Sequence, residues 1–321
     1  METEPDLSAV SSFMGVLDDD ARDRTNGALP LSSAPPPVRE PAPRLWTVLL
    51  SVPLVFAAVG IVNLILIGVA VVATGEKPDM TTIQASVERA LTPPIVILSY
   101  ALTSLTMLIF SVAAAALSQA GLPARLRLRA AGIPASALAL FIVGFVALSG
   151  SSGALFSLLG VSDQGSLGQL QRILANASPA MLAVSTLVIG LGAGLAEELY
   201  FRGYLQTRLS KRWGRWPAIL LTAVLFALIH FDRLQSPFAF VAGLAFGWMT
   251  ERTGSLRPAI AAHVTNNAVS VLATGLLPSF PARSVQAALL GLCLTTAAVC
   301  YAALRRRLPP DHDSGVKNKG G

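Results

Sequence analysis

The chain has 321 residues, of which 53% are hydrophobic and 13% charged, with a mean hydropathy of +0.61. This composition excludes a soluble globular domain and indicates a membrane protein with several spans. The net charge of +6 is carried mostly by Arg set between apolar tracts, which is the pattern of a topology signal and not of a nucleic-acid surface.

Residues 1–43 are polar, with Asp18-Asp19-Asp20 and a Pro-rich stretch from Ala34 to Pro43. They have little to bury and are expected to be a disordered tail without a cleavable signal peptide. Eight apolar tracts follow, at about 45–74, 94–118, 135–159, 179–203, 217–231, 237–250, 258–277 and 285–304. The fifth and sixth are short against the ~20 residues a spanning helix needs. Eighteen of the 24 Lys and Arg fall on the side that carries both termini, and five on the other. The expected fold is therefore all-α: a polytopic helical membrane bundle of about eight transmembrane helices, 44–305, with both termini cytoplasmic. A basic tail, 306–321, follows. Gly190-x-x-x-Gly194 and Gly243-x-x-x-Gly247 are spacings that let helix backbones approach closely. Cys293 and Cys300, two helical turns apart, share a helix face and cannot pair.

The chemistry concentrates in the later tracts. Glu197 and Glu198 adjoin each other inside an apolar run, followed by Arg202. Glu198 and Arg202 are four apart and face one way, as an ion pair in which each offsets the other's burial. Glu197 points about 100° away and has no local partner, which suits a general base. His230 closes the fifth tract. His263 and Asn267, also four apart, share a face of the seventh, and Asn266 points elsewhere, as a residue for helix–helix hydrogen bonding. Around one cavity, Glu197, His230, His263 and Asn267 would suit hydrolysis of an acyl or peptide bond. Glu197, His230 and His263 are also the ligand types of a catalytic zinc, the one cofactor the sequence suggests, although an HExxH signature is missing.

Three ordered motifs sharpen this. EExxxR (Glu197, Glu198, Arg202), FxxxH (Phe226, His230) and HxxxN (His263, Asn267) resemble the CPBP family, the Abi group of intramembrane metalloproteases that includes the type II CAAX prenyl endopeptidases. The resemblance covers about residues 180–275. It implies a helical core with a cavity open to the cytoplasm, and Glu197 as the water-activating base with His230 as its partner. It further implies His263 and Asn267 as oxyanion stabilisers, with Glu198 and Arg202 in structural support. Phe226 would pack beneath the site. The implied function is a membrane-embedded, CAAX endopeptidase-like peptidase of the plasma (inner) membrane. Its partners would be the bilayer and a protein or peptide substrate, with membrane-anchored or lipidated chains as one option. The wealth of Ala, Leu and Arg suggests a bacterium.

Two other readings compete. Gly150-Ser151-Ser152-Gly153 is similar to the nucleophile motif of rhomboid serine proteases, with Ser152 as nucleophile. A non-catalytic immunity protein or a proton-coupled transporter would also place Glu and His in the membrane.

Overall fold

All eight apolar tracts form helices in the computed structural model, which describes residues 45–75, 82–117, 121–175, 177–277 and 282–308. The expectation of a disordered N-terminal tail falls outside these residues, as does most of the C-terminal one. The helices are α1 (Leu45–Ala73), α2 (Ile83–Ala90), α3 (Pro93–Ala116), α4 (Ala135–Leu159), α5 (Gly165–Leu174), α6 (Pro179–Trp213), α7 (Arg215–Leu228), α8 (Gln235–Thr253), α9 (Arg257–Leu276) and α10 (Arg283–Arg307). A single turn at Leu122–Arg125 precedes α4. Among the described residues, five helices are long and apolar enough to cross a membrane: α1, α3, α4, α6 and α10. The fold is thus a helical membrane bundle.

Helix ends follow local chemistry. Pro begins α3 and α6, where its missing N–H costs nothing, and the Ser178 hydroxyl caps α6 by accepting from Met181 N at 3.2 Å. Gly214, at φ +83°, breaks the chain between α6 and α7 in one residue, a conformation that L side chains resist.

α6 is the central element and touches α3, α7, α8 and α9. At 35 residues it is roughly 50 Å long, well beyond the ~30 Å hydrocarbon core. It is not uniform. Thr186–Ala193 and Leu199–Gln206 are π-helical and flank a five-residue α segment, Gly194–Glu198.

The small-residue spacings are packing contacts. A Cβ on Gly194 would lie 3.2 Å from Val264 Cα, and one on Gly190 3.3 Å from Ala268 Cα, so both glycines let α9 lie against α6. Gly243 and Gly247 do the same for α8 against α7 and α6. α4 packs along α10, where Gly144 and Gly150 face Cys300 and Cys293, both free thiols.

At one end of the bundle, Glu251 Oε1 accepts from Gln206 Nε2 (3.0 Å) and Ser210 Oγ (2.6 Å) and pairs with Arg127 (2.9 Å). The 127–129 segment is held to the α8–α9 corner by Leu256 N on Arg127 O, Ser255 Oγ on Arg129 O and Arg257 Nε on Leu128 O.

A Cβ at Gly243 would fall 2.7 Å from Ala223 Cα, which is backbone and cannot swing away. Gly243→Ala should therefore destabilise the protein by about 1–3 kcal/mol, seen as a lower unfolding temperature in detergent. Gly60→Ala, with open space around it, should leave that temperature unchanged.

Candidate active site

The site grows from the short α segment of α6. Glu198 Oε1 meets Arg202 Nη1 at 2.7 Å, the expected pair, and both side chains are 0% exposed. The guanidinium lies over Phe226 (4.3 Å), Phe246 (5.4 Å) and Phe201 (5.9 Å). Arg202 Nε and Nη2 have no hydrogen-bond partner among the described residues, so these aromatic faces are what meets the rest of the cation.

Glu198 also reaches the seventh tract. His263 Nδ1 donates to the same Oε1 at 2.9 Å. The opposite ring nitrogen, Nε2, stands 3.8 Å from Glu197 Oε2. One imidazole is thus bracketed by the two adjacent glutamates, which the 100° helical offset makes possible. Glu197 has no partner on its own helix, as the sequence implied. Its contrast with Glu198 is sharp: Glu198 is sealed with its Oε1 doubly engaged, whereas Glu197 keeps 18% exposure and makes no short bond among the described residues. A donor at Nδ1 leaves Nε2 of a neutral His263 as an acceptor; it can donate only as imidazolium.

Phe246 stacks on the His263 ring at 5.0 Å and 22°, while Phe226 meets it edge-on at 5.9 Å. Phe226 also meets His230 edge-on at 5.1 Å. It is therefore more than packing beneath the site: it separates His230, His263 and Arg202 while touching all three. His230 follows the end of α7, with Nδ1 on Phe226 O at 2.8 Å. Among the described residues no hydrogen bond or ion pair joins His230 to Glu197 or His263. Asn267 lies one turn beyond His263 and donates from Nδ2 to Ile189 O at 3.4 Å, a carbonyl within the first π segment. Asn266 Nδ2 donates to Asn267 Oδ1 at 3.3 Å. Of the expected set of Glu197, His230, His263 and Asn267, the structure brings Glu197 and His263 together with Glu198, Arg202 and Phe226, and leaves His230 and Asn267 at the margins.

Zinc fits poorly. Although Glu197, His230 and His263 have the right donor types, among the described residues no three His, Cys, Asp or Glu side chains come together as a metal-holding group. Ser152 donates to Ser149 O of its own helix at 2.8 Å, and the neighbouring Gly150 is a packing contact with Cys293.

Two features were not anticipated. Phe246 carries no motif; its only signal is its place between Gly243 and Gly247, on a helix that must approach others closely. The second is Asp232, two residues after His230. Its Oδ1 caps the start of α8 by accepting from Leu234 N (2.7 Å) and Gln235 N (2.9 Å), while Oδ2 accepts from Ser166 N and Oγ at the start of α5. Gly165 makes room for it. Burial pushes this carboxyl up, but the bonds from Ser166, Gln235 and Leu234 outweigh burial and bring it down to about 2. The intervening Phe231 is 88% exposed at φ +46°.

Residues 179–269 match the family described as type II CAAX prenyl endopeptidase Rce1-like, which bears out the resemblance carried by the three motifs. No curated protein and no solved structure matches the chain.

Arg202→Leu should leave Glu198 buried without its counter-charge and cost about 3–5 kcal/mol, measured by unfolding in detergent. The Asp232 carboxyl is depressed when folded, so its stabilisation is complete above about pH 4 and fades as pH falls towards 2. The difference in unfolding temperature between wild type and Asp232→Asn should accordingly be constant from pH 7 to about 4 and shrink below it.

Proposed function

We propose that the chain, with its Rce1-like region at the centre, is a membrane-embedded endopeptidase that hydrolyses a peptide bond with water activated by Glu197. The observation that carries this reading is the unequal placing of two adjacent glutamates. Glu198 is sealed from solvent with its Oε1 held by both Arg202 and His263, whereas Glu197 is partly open and makes no hydrogen bond among the described residues. Only a carboxylate that water can reach can take a proton from it.

In this reading Glu197 removes a proton from the water as its oxygen attacks the peptide carbonyl, then returns that proton to the leaving amine. Glu198 acts through His263, fixing its tautomer and direction, in the way a buried carboxylate orients a catalytic imidazole. Imidazolium His263 would place an N–H towards the developing oxyanion. His230 is the nearby second imidazole, held on the Phe226 carbonyl and available at Nε2. Substrates are protein or peptide chains, with lipidated CAAX-type termini the first class to try. The setting is the inner membrane of a bacterium, with both termini cytoplasmic.

The test is cleavage of a fluorogenic prenylated CAAX-type peptide by purified protein in detergent, with and without chelator. Glu197→Gln should lower the rate by about 10²–10⁴-fold with an unchanged unfolding temperature. A Glu197→Gln enzyme that cleaves at the wild-type rate rules the reading out, and loss on chelation would bring the metal back.

A further inference from the structure

Phe246 belongs to none of the three motifs, yet it meets the site's central imidazole face-on. Its buried ring stacks on His263 at 5.0 Å and 22°, and the Arg202 guanidinium lies over it at 5.4 Å. Those are the two groups that hold Glu198 Oε1. Phe145 (4.3 Å) and Phe141 (6.3 Å) of α4 press on Phe246 in turn. Through this ring, a helix with no group in the reaction reaches the imidazole.

Three contacts define where that imidazole can be. The bond from Nδ1 to Glu198 Oε1, at 2.9 Å, fixes one corner of the ring. A ring held at one corner can still tilt and pivot about it. Phe226, edge-on at 5.9 Å, meets it from one direction, and the flat contact with Phe246 sets its plane. What these leave is a gap. Nε2 stands 3.8 Å from Glu197 Oε2, beyond hydrogen-bond distance. A swing of about 1 Å would close it. Electrostatics favours the swing, because an N–H at Nε2 would gain a carboxylate partner in a site of low dielectric. Closure would engage Glu197 as Glu198 is engaged. The stack with Phe246 opposes it. An aliphatic side chain of similar bulk could fill the same volume, but it offers no flat face.

We propose that Phe246 is a positioning residue: its ring holds His263 against Glu198 and off Glu197, so that the Glu197 carboxylate stays free to take a proton. The purpose in that last clause rests on the peptidase reading; the gap itself does not.

The test uses the full chain in lipid, isotope-labelled in the histidine nitrogens and the glutamate carboxyl carbons. The dipolar coupling between His263 Nε2 and the Glu197 carboxyl carbon reads the gap directly. It should be that of an unbonded pair in wild type and of a bonded pair, about 1 Å closer, in Phe246→Leu. In turnover of the prenylated CAAX-type peptide, well below the unfolding temperature, Phe246→Leu should lower kcat about 10–100-fold with KM unchanged. Phe110→Leu controls for lost packing. Phe110 meets Tyr200 (5.9 Å) and Tyr204 (5.7 Å), with no ring contact to His263 among the described residues, and its variant should keep the wild-type kcat. Should Phe246→Leu not fold, Phe246→Met takes its place with the same expected outcomes, since its flexible chain fills space without a flat face. A bonded pair in wild type overturns the proposal. So does a gap unmoved by the substitution, or a kcat that falls no further than in Phe110→Leu, and each of these two leaves the peptidase reading standing. A wild type that never cleaves, with a gap that closes in Phe246→Leu, upholds the positioning and removes the peptidase reading.

Discussion

A carboxylate and a guanidinium without exposed surface sit in the middle of an apolar helix, and the surroundings are arranged around keeping them there. The Glu198–Arg202 pair gains little net stability from its own attraction, because desolvating both ions consumes most of it. What makes the arrangement tenable is further bonding. Three phenylalanines from α6, α7 and α8 supply ring faces to the cation. His263, from α9, supplies a second donor to the carboxylate. Four helices therefore converge on one ion pair. The same convergence fixes the imidazole whose far side faces Glu197. A hydrophobic replacement could pack as well, but it could not orient a histidine.

The bundle around this node is fastened by polar groups as well as by apolar contact, which suits a medium where lipid offers helices no hydrophobic reason to associate. Gly190 and Gly194 bring α9 to α6, so that His263 can reach Glu198. Glu251 collects α6, α8 and the 127–129 segment at one end. Asp232 collects α5 and α8 elsewhere, one helix per carboxylate oxygen. Glu197 and His263, which would do the chemistry, lie on helices whose relative positions are set by such bonds, and His230 follows directly on the end of α7.

How much of this could be read from the sequence depends on the range of the interaction. The tracts were legible because apolar length is a one-dimensional property, and α4 runs over the residues expected, Ala135–Leu159. The Glu198–Arg202 pair was legible because four residues in a helix is a local distance. The three motifs pointed to a family, and residues 179–269 match it. The bracketing of His263 was not legible, since it joins residues 65 apart through a helix approach that only the glycines hint at. Phe246 was invisible for a related reason: an aromatic in an apolar tract looks the same whether it faces lipid or an imidazole. Asp232 carried no signal in the sequence because one of the two helix starts it caps lies 66 residues upstream. The extension of α6 to Trp213 was missed because its last turns are basic and amphipathic while the tract was defined by hydropathy.

The two π segments of α6 have a consequence for how this helix can vary. Each π turn holds one residue more than the α turn it replaces, so the surplus is stored in the helix without any loop. Removing one residue from such a segment need not shorten or break α6. It would restore regular winding and turn everything on one side of the deletion by about 100° relative to the other. For the segment between Leu199 and Gln206, that would swing either the glutamates or Gln206 and Ser210 away from their partners. Length variation in this helix thus acts as rotation, and the spacing between the glutamates and the Glu251 cluster is a phase that must be kept, not merely a distance.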